Sequence, residues 1–195
     1  MLPLICFFVI GNYYSYDEPA ALEIQMEEYF GISATEYGAL YSVYSIPNLI
    51  LPFVGGVIYD KIGIRFGLLL FTFFVCLGQY IFMLGSGDKN GFYTMCIGRC
   101  LFGIGCESMY VGQSVMLSKW FINFELPVAM GFISVVPVAG SFISGIIVTA
   151  IYNDKKNDPT IQGGEFADTF MIGVYVCFLC FLLVLIMNTL DKKTE

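Results

Sequence analysis

The chain has 195 residues, 57% of them hydrophobic and 13% charged, with a mean hydropathy of +0.77. Soluble domains carry about 25% charged and about 45–50% apolar residues, so soluble globular, disordered and disulfide-scaffold readings are excluded, and lipid is the natural solvent. A net charge of −7, with no basic run, excludes nucleic acid as a partner. The absence of histidine removes imidazole ligation and any Ser-His or Cys-His catalytic pair. No metal site, cofactor or enzymatic centre is expected.

Runs of roughly 20 apolar residues, enough to cross ~30 Å of hydrocarbon, predict six helical spans at 1–16, 35–59, 64–86, 92–117, 126–152 and 169–190. They are too long and continuous for the strands of an outer-membrane barrel. The first span reaches only ~24 Å at 1.5 Å per residue. It lacks a basic leader and a small-residue cleavage site, and reads as a membrane helix rather than a signal peptide. The segment 17–34 carries Asp17, Glu18, Glu23, Glu27 and Glu28 and reads as a solvated acidic loop, with a short surface helix as the alternative.

Between spans two and three, Gly55-Gly56 and Asp60-Lys61-Ile-Gly63-Ile-Arg65 form a tight charged turn. Asp60 is expected to cap the third helix and to pair with Lys61 or Arg65. The seven cysteines all lie in apolar stretches and read as packing residues, Cys177-Phe-Leu-Cys180 included. Lys61, Arg65, Lys119, Lys192 and Lys193 fall on one side, against Lys89, Lys155 and Lys156 on the other. That bias puts both termini in the cytoplasm or its equivalent, with Lys119–Trp120 at that interface.

The fourth span holds two charges, Arg99 and Glu107. They stand about 80° apart around the helix and ~12 Å apart along it, so neither can satisfy the other. A charge at membrane depth costs about 2.5–3.5 kcal/mol on insertion scales, so each needs a partner on another helix or a polar cavity.

Several motifs resemble those of the major facilitator superfamily. Gly56-x-x-x-Asp60-Lys61-x-Gly63-x-Arg65 is similar to its signature loop between helices two and three, without the adjacent basic run, since Ile64 intervenes. Arg99-x-x-x-Gly103-x-Gly105 is similar to its fourth-helix Arg motif, with Phe102 in place of the usual Gln. Pro137-x-x-Gly140 is a partial form of the antiporter motif. Asn12-Tyr-Tyr-Ser-Tyr-Asp17-Glu18-Pro19, Tyr44-Ser-Ile-Pro47-Asn48 and Gly98-Arg99 through Glu107-Ser108 resemble the lysosomal dipeptide-uniporter branch. The resemblance implies an all-α polytopic fold forming half of a major facilitator, the first six of twelve helices. It also implies that Glu107 holds an amino group, while Val138 stands where a fifth-helix Arg would hold a carboxylate.

Two functions follow as expectations. The first is a carrier half moving a small organic solute, peptide-like in the branch it resembles, by alternating access. In it Glu107, Tyr41, Tyr44 and Asn48 contact solute, and Asp60, Lys61, Gly63, Arg65, Arg99 and Gly103 serve gating or coupling. Its partner is a second six-helix half, either another copy or a separate chain. The alternative is a non-transporting accessory subunit of a larger membrane complex, where the same residues meet neighbouring subunits or lipids. The absence of Asn-x-Ser/Thr sequons leans toward that alternative. The resemblance implies an endolysosomal membrane, with the mitochondrial inner membrane as the other location.

Overall fold

A computed structural model describes residues 2–122, 125–156 and 165–194. Among these, helices α1 (Leu2–Phe7), α2 (Ile10–Asp17), α3 (Glu23–Phe30), α4 (Ala34–Asn48), α5 (Leu51–Ile62), α6 (Ile64–Ser86), α7 (Phe92–Trp120), α8 (Glu125–Lys156) and α9 (Glu165–Thr194) follow in order. They make six rods: α1 with α2, α4 with α5, and then α6, α7, α8 and α9.

By length and composition α6, α8 and α9 can each cross a membrane, and the α4–α5 pair, bent by 46°, adds a fourth span if counted as one. The 29 residues of α7 reach ~43 Å, long enough to span, but its charges dilute its hydropathy. The first predicted span is interrupted after Phe7, and the second at Leu49–Ile50.

Pro47 and Pro52 explain the second break. Neither has an N–H, so the carbonyls of Val43 and Asn48 lose their i+4 donors. The break also absorbs surplus length. Tyr44 packs against Gly103 of α7 and Gly55 against Ser108. From 44 to 55 the second rod advances eleven residues while α7 advances five, from 103 to 108. At 1.5 Å per residue that is ~16 Å against ~8 Å, so the rod bows outward and exposes Ile46, Leu49, Ile50 and Phe53.

The segment 17–34 is no solvated loop. Pro19–Leu22 forms a 3₁₀ turn and Glu23–Phe30 a helix. Leu22, Met26 and Phe30, spaced by four, bury one face in a cluster with Tyr152, Phe166 and Phe170 of α8 and α9. Gly31, at φ +66°, ends α3. Ser33 and Glu36 then form a reciprocal capping box that starts α4. At the other turn Gly63, at φ +82°, occupies the N-cap of α6 and no side chain caps it, so the expected cap by Asp60 is not formed.

Packing is pairwise and patterned. The first rod lies on α8 and α9, the second on α7, and α6 lies on both α7 and α9. Exchanging rods one to three with four to six preserves these contacts, as in the three-plus-three repeats of carrier halves. The tightest seam joins α6 to α7. Gly98 and Gly105, seven residues apart, face α6, and an added Cβ would lie 2.5 Å from Phe82 N at Gly98 and 2.5 Å from Phe71 O at Gly105. Small residues there let the backbones touch.

Candidate functional site on the fourth rod

The spacing of α7 separates its two charges. Arg99 belongs to the buried stripe that includes Met95, Phe102, Cys106, Met109 and Gln113. Glu107, sixteenth of the 29 residues, belongs to the less covered stripe with Cys100, Ile104, Tyr110 and Ser114. The two do not share an accessible face.

On the covered side Arg99 is 2% exposed. Its Nη2 donates to the Tyr16 carbonyl at 3.2 Å, and its guanidinium lies 4.5 Å from the Phe82 ring centroid. Glu18, fully buried, lies within electrostatic reach. Its Oε2 accepts from Gln79 Nε2 at 2.6 Å, and Gly173 makes room for the carboxylate, which a Cβ would strike. Among the described residues Glu18 Oε1, Gln79 Oε1, Arg99 Nη1 and Tyr14 Oη find no hydrogen-bond partner. Arg99, expected as a coupling residue, is thus walled off from any solute on the open side.

On that side Tyr44 Oη donates to Glu107 Oε1 at 3.2 Å, which joins two of the expected solute contacts. Tyr37, Tyr41, Tyr44 and Asn48 follow a helical stripe of α4. Tyr41 meets Tyr37 at 3.4 Å between hydroxyls and lies 5.9 Å from the Arg99 guanidinium. Tyr16 lies between Tyr41 and Tyr44, edge-on to the first and tilted to the second, with centroids at 5.5 and 4.7 Å. Asn48 Oδ1 is buried without a partner among the described residues. Gly103 lets α7 approach α4 closely, since a Cβ would lie 2.6 Å from the Tyr44 carbonyl. Val138 is 69% exposed on α8.

The expected gating residues divide. Asp60, Lys61 and Gly63 are exposed. Arg65 turns to Asp191, with Nε to Oδ2 at 2.6 Å. Lys119 reaches the same carboxylate at 3.2 Å, and Trp120 Nε1 donates to it at 3.0 Å. Asn188 donates to the Arg65 carbonyl at 2.9 Å. The start of α6 and the ends of α7 and α9 are therefore knotted around one acid. Beside this knot Tyr59 Oη donates to the Ser108 carbonyl at 2.8 Å. Its ring lies against Gly67 and its hydroxyl against Gly112, so α5, α6 and α7 meet on one side chain.

Glu18, Gln79, Tyr59 and Asp191 were not singled out from sequence. Signals existed for two of them. Asp191 sits in the last turn of a helix, where the dipole disfavours an acid, which points to outside cations. Glu18, with Asp17, is one of the two acids that directly follow the first span, and a buried Arg99 calls for an acid nearby.

Apolar rods, a buried arginine within electrostatic reach of a buried glutamate, and a half-open carboxylate at mid-helix describe a polytopic helical membrane protein. The family model for the Major Facilitator Superfamily matches residues 4–195, and the chain belongs to that superfamily. It is 36% identical over 197 residues to the lysosomal dipeptide transporter MFSD1 of Bos taurus, covering 100% of this chain and 42% of the relative. The Homo sapiens transporter of that name gives the same figures. A hexuronate transporter of Bacillus subtilis is 30% identical over 154 residues, covering 77% of this chain and 35% of that protein. The chain thus spans less than half the length of these curated relatives.

Proposed function

We propose that this chain forms one wall of an alternating-access carrier for a small organic solute, peptide-like as the names of its relatives suggest, with Glu107 receiving the solute's cationic end. The observation that carries the reading is the Tyr44–Glu107 hydrogen bond at mid-helix on the uncovered stripe of α7. A carboxylate at that depth is costly unless it faces a cavity or a partner. The opposing wall is six further helices, on the same polypeptide or another, related by a pseudo-two-fold along the membrane normal. The Asp60–Arg65 turn and its Asp191 anchor form the cytoplasmic gate, and both termini of the six-helix unit lie on that side. The membrane is endolysosomal, as for the relatives named lysosomal.

Reconstitution of the full-length protein into liposomes, followed by uptake of radiolabelled alanyl-alanine and its amide, tests this. Uptake of either probe that falls about tenfold or more in Glu107→Gln, at unchanged abundance and helicity, supports a carrier. Recovery within a large complex with no flux of either probe points instead to the accessory subunit.

A further inference from the structure

The charge inventory of the open wall narrows the solute. The first basic residue of the chain is Lys61, in the last turn of α5, so the first two rods hold no cation before that exposed end. Arg99 is the only basic residue between 90 and 118, and none occurs from 120 to 154. Arg99 is engaged by the Tyr16 carbonyl and lies behind the Phe82 and Phe102 rings. A solute on the open stripe therefore meets no accessible cation at membrane depth, and the carboxylate it meets there is Glu107.

The neighbouring groups push the same way. Tyr13 of α2 lies within electrostatic reach of both Glu107 and Tyr110, and Tyr44 bonds the carboxylate directly. Tyrosine faces attract cations. One turn beyond Tyr44, the C-terminal end of α4 turns the negative end of its dipole toward the break. There the carbonyls of Val43 and Asn48 have lost their i+4 donors to Pro47 and Pro52. Asn48 Oδ1 is a buried acceptor beside them, without a hydrogen-bond partner among the described residues. The wall offers a carboxylate and aromatic faces, with the negative end of the α4 dipole beside them, all of which favour positive charge.

We infer that this wall selects organic monocations, amines carrying no carboxylate, over zwitterions. The inference rests on Glu107 as a solute contact and names the class of solute it takes. A free carboxylate on the solute meets no cation here, only neutral hydroxyl and amide donors, and stands against the Glu107 carboxylate, so its lost hydration is poorly replaced.

Three probes separate the charge states: alanyl-alanine amide, alanyl-alanine and N-acetyl-alanyl-alanine. They are titrated calorimetrically into the full-length protein in lipid nanodiscs at mildly acidic pH, where free amines are protonated. The amide is expected to bind about tenfold or more tighter than the zwitterion, and the acetylated anion not at all. Glu107→Gln lowers amide affinity about tenfold. Tyr110→Leu, at an exposed position that burdens no core packing, lowers it severalfold, so the result survives a misfolded Glu107 variant. Equal or tighter binding of alanyl-alanine, still sensitive to Glu107→Gln, overturns the monocation inference and leaves the carrier reading standing. Failure of all three probes to bind overturns both.

Discussion

Two faces of one helix treat charge in opposite ways. On the covered face of α7, Arg99 is enclosed by Glu18, Gln79, the Tyr16 carbonyl and three aromatic rings, on residues of α2, α4, α6 and α7 and of the turn after α2. On the open face, Glu107 has the Tyr44 hydroxyl and remains partly exposed. Both charges look alike in sequence, since each interrupts an apolar run. The difference is compensation. A charge neutralised by the chain itself holds rods together, whereas one left with a neutral donor is available to something outside the chain. Arg99 is enclosed by the architecture of the unit, and the solute contact proposed for Glu107 falls on the open face.

The covered face should be the more fragile. Arg99→Ala leaves the buried Glu18 carboxylate with no cation near it and only the neutral Gln79 donor, and breaking a buried charge pair costs about 3–5 kcal/mol. Unfolding titrations of the purified protein in mixed micelles should show that loss, and Glu18→Gln added to Arg99→Ala should restore part of it. A loss below about 1 kcal/mol would show that the pair does not hold the bundle.

The sequence disclosed the class of fold because continuous apolar runs and turn glycines are local signals. Glu107 and Tyr44, which the structure brings together, were legible as candidates because a helix-spaced tyrosine stripe and a mid-span acid are also local. Glu18 was obscured by its acidic neighbours: five acids within 17–28 read as solvated, yet one of them is fully buried. Its burial depends on Gly173, more than 150 residues away, and no local pattern records that. The cap expected of Asp60 failed for a different reason. Gly63 takes the N-cap with a left-handed φ, and Asp60 stays within α5 as an exposed residue of its last turn. The seam of α7 was legible but unread, because Gly91, Gly98, Gly105 and Gly112 recur every seven residues.

That seam gives the next effect. Gly105→Val presses two methyl groups toward the Phe71 carbonyl and Val75, and overpacking of this kind costs about 1–3 kcal/mol. Gly38→Ala, with nothing within 4 Å of the new Cβ, should leave unfolding unchanged or favour the fold slightly through helix propensity. The Asp191 knot follows. Asp191 itself is 1% exposed, but its cationic partners keep 31% and 41% exposure, so screening reduces each pair. Asp191→Asn should cost about 1–2 kcal/mol, more at low salt than at high. A double-mutant cycle with Arg65→Gln should recover a coupling of about 0.5–1 kcal/mol.

The smallest effect on stability belongs to the open face. Glu107→Gln keeps the shape of the side chain and an oxygen able to accept from Tyr44 Oη, the hydrogen bond observed at 3.2 Å. It also removes a charge whose burial opposes folding in lipid. Unfolding free energy should therefore change by no more than about 0.5 kcal/mol, within the range of substitutions remote from core packing, or rise slightly. Tyr44→Phe sharpens the point. It deletes the single donor but keeps the ring that packs on Tyr16 and Phe102, so its stability loss should stay near 1 kcal/mol. Binding of a cationic probe should behave in the reverse order, falling most for Glu107→Gln and less for Tyr44→Phe. A residue that held the bundle together would lose stability and binding in proportion. If Glu107→Gln destabilises the protein as much as Arg99→Ala, the two faces of α7 do the same work and the separation drawn between them fails.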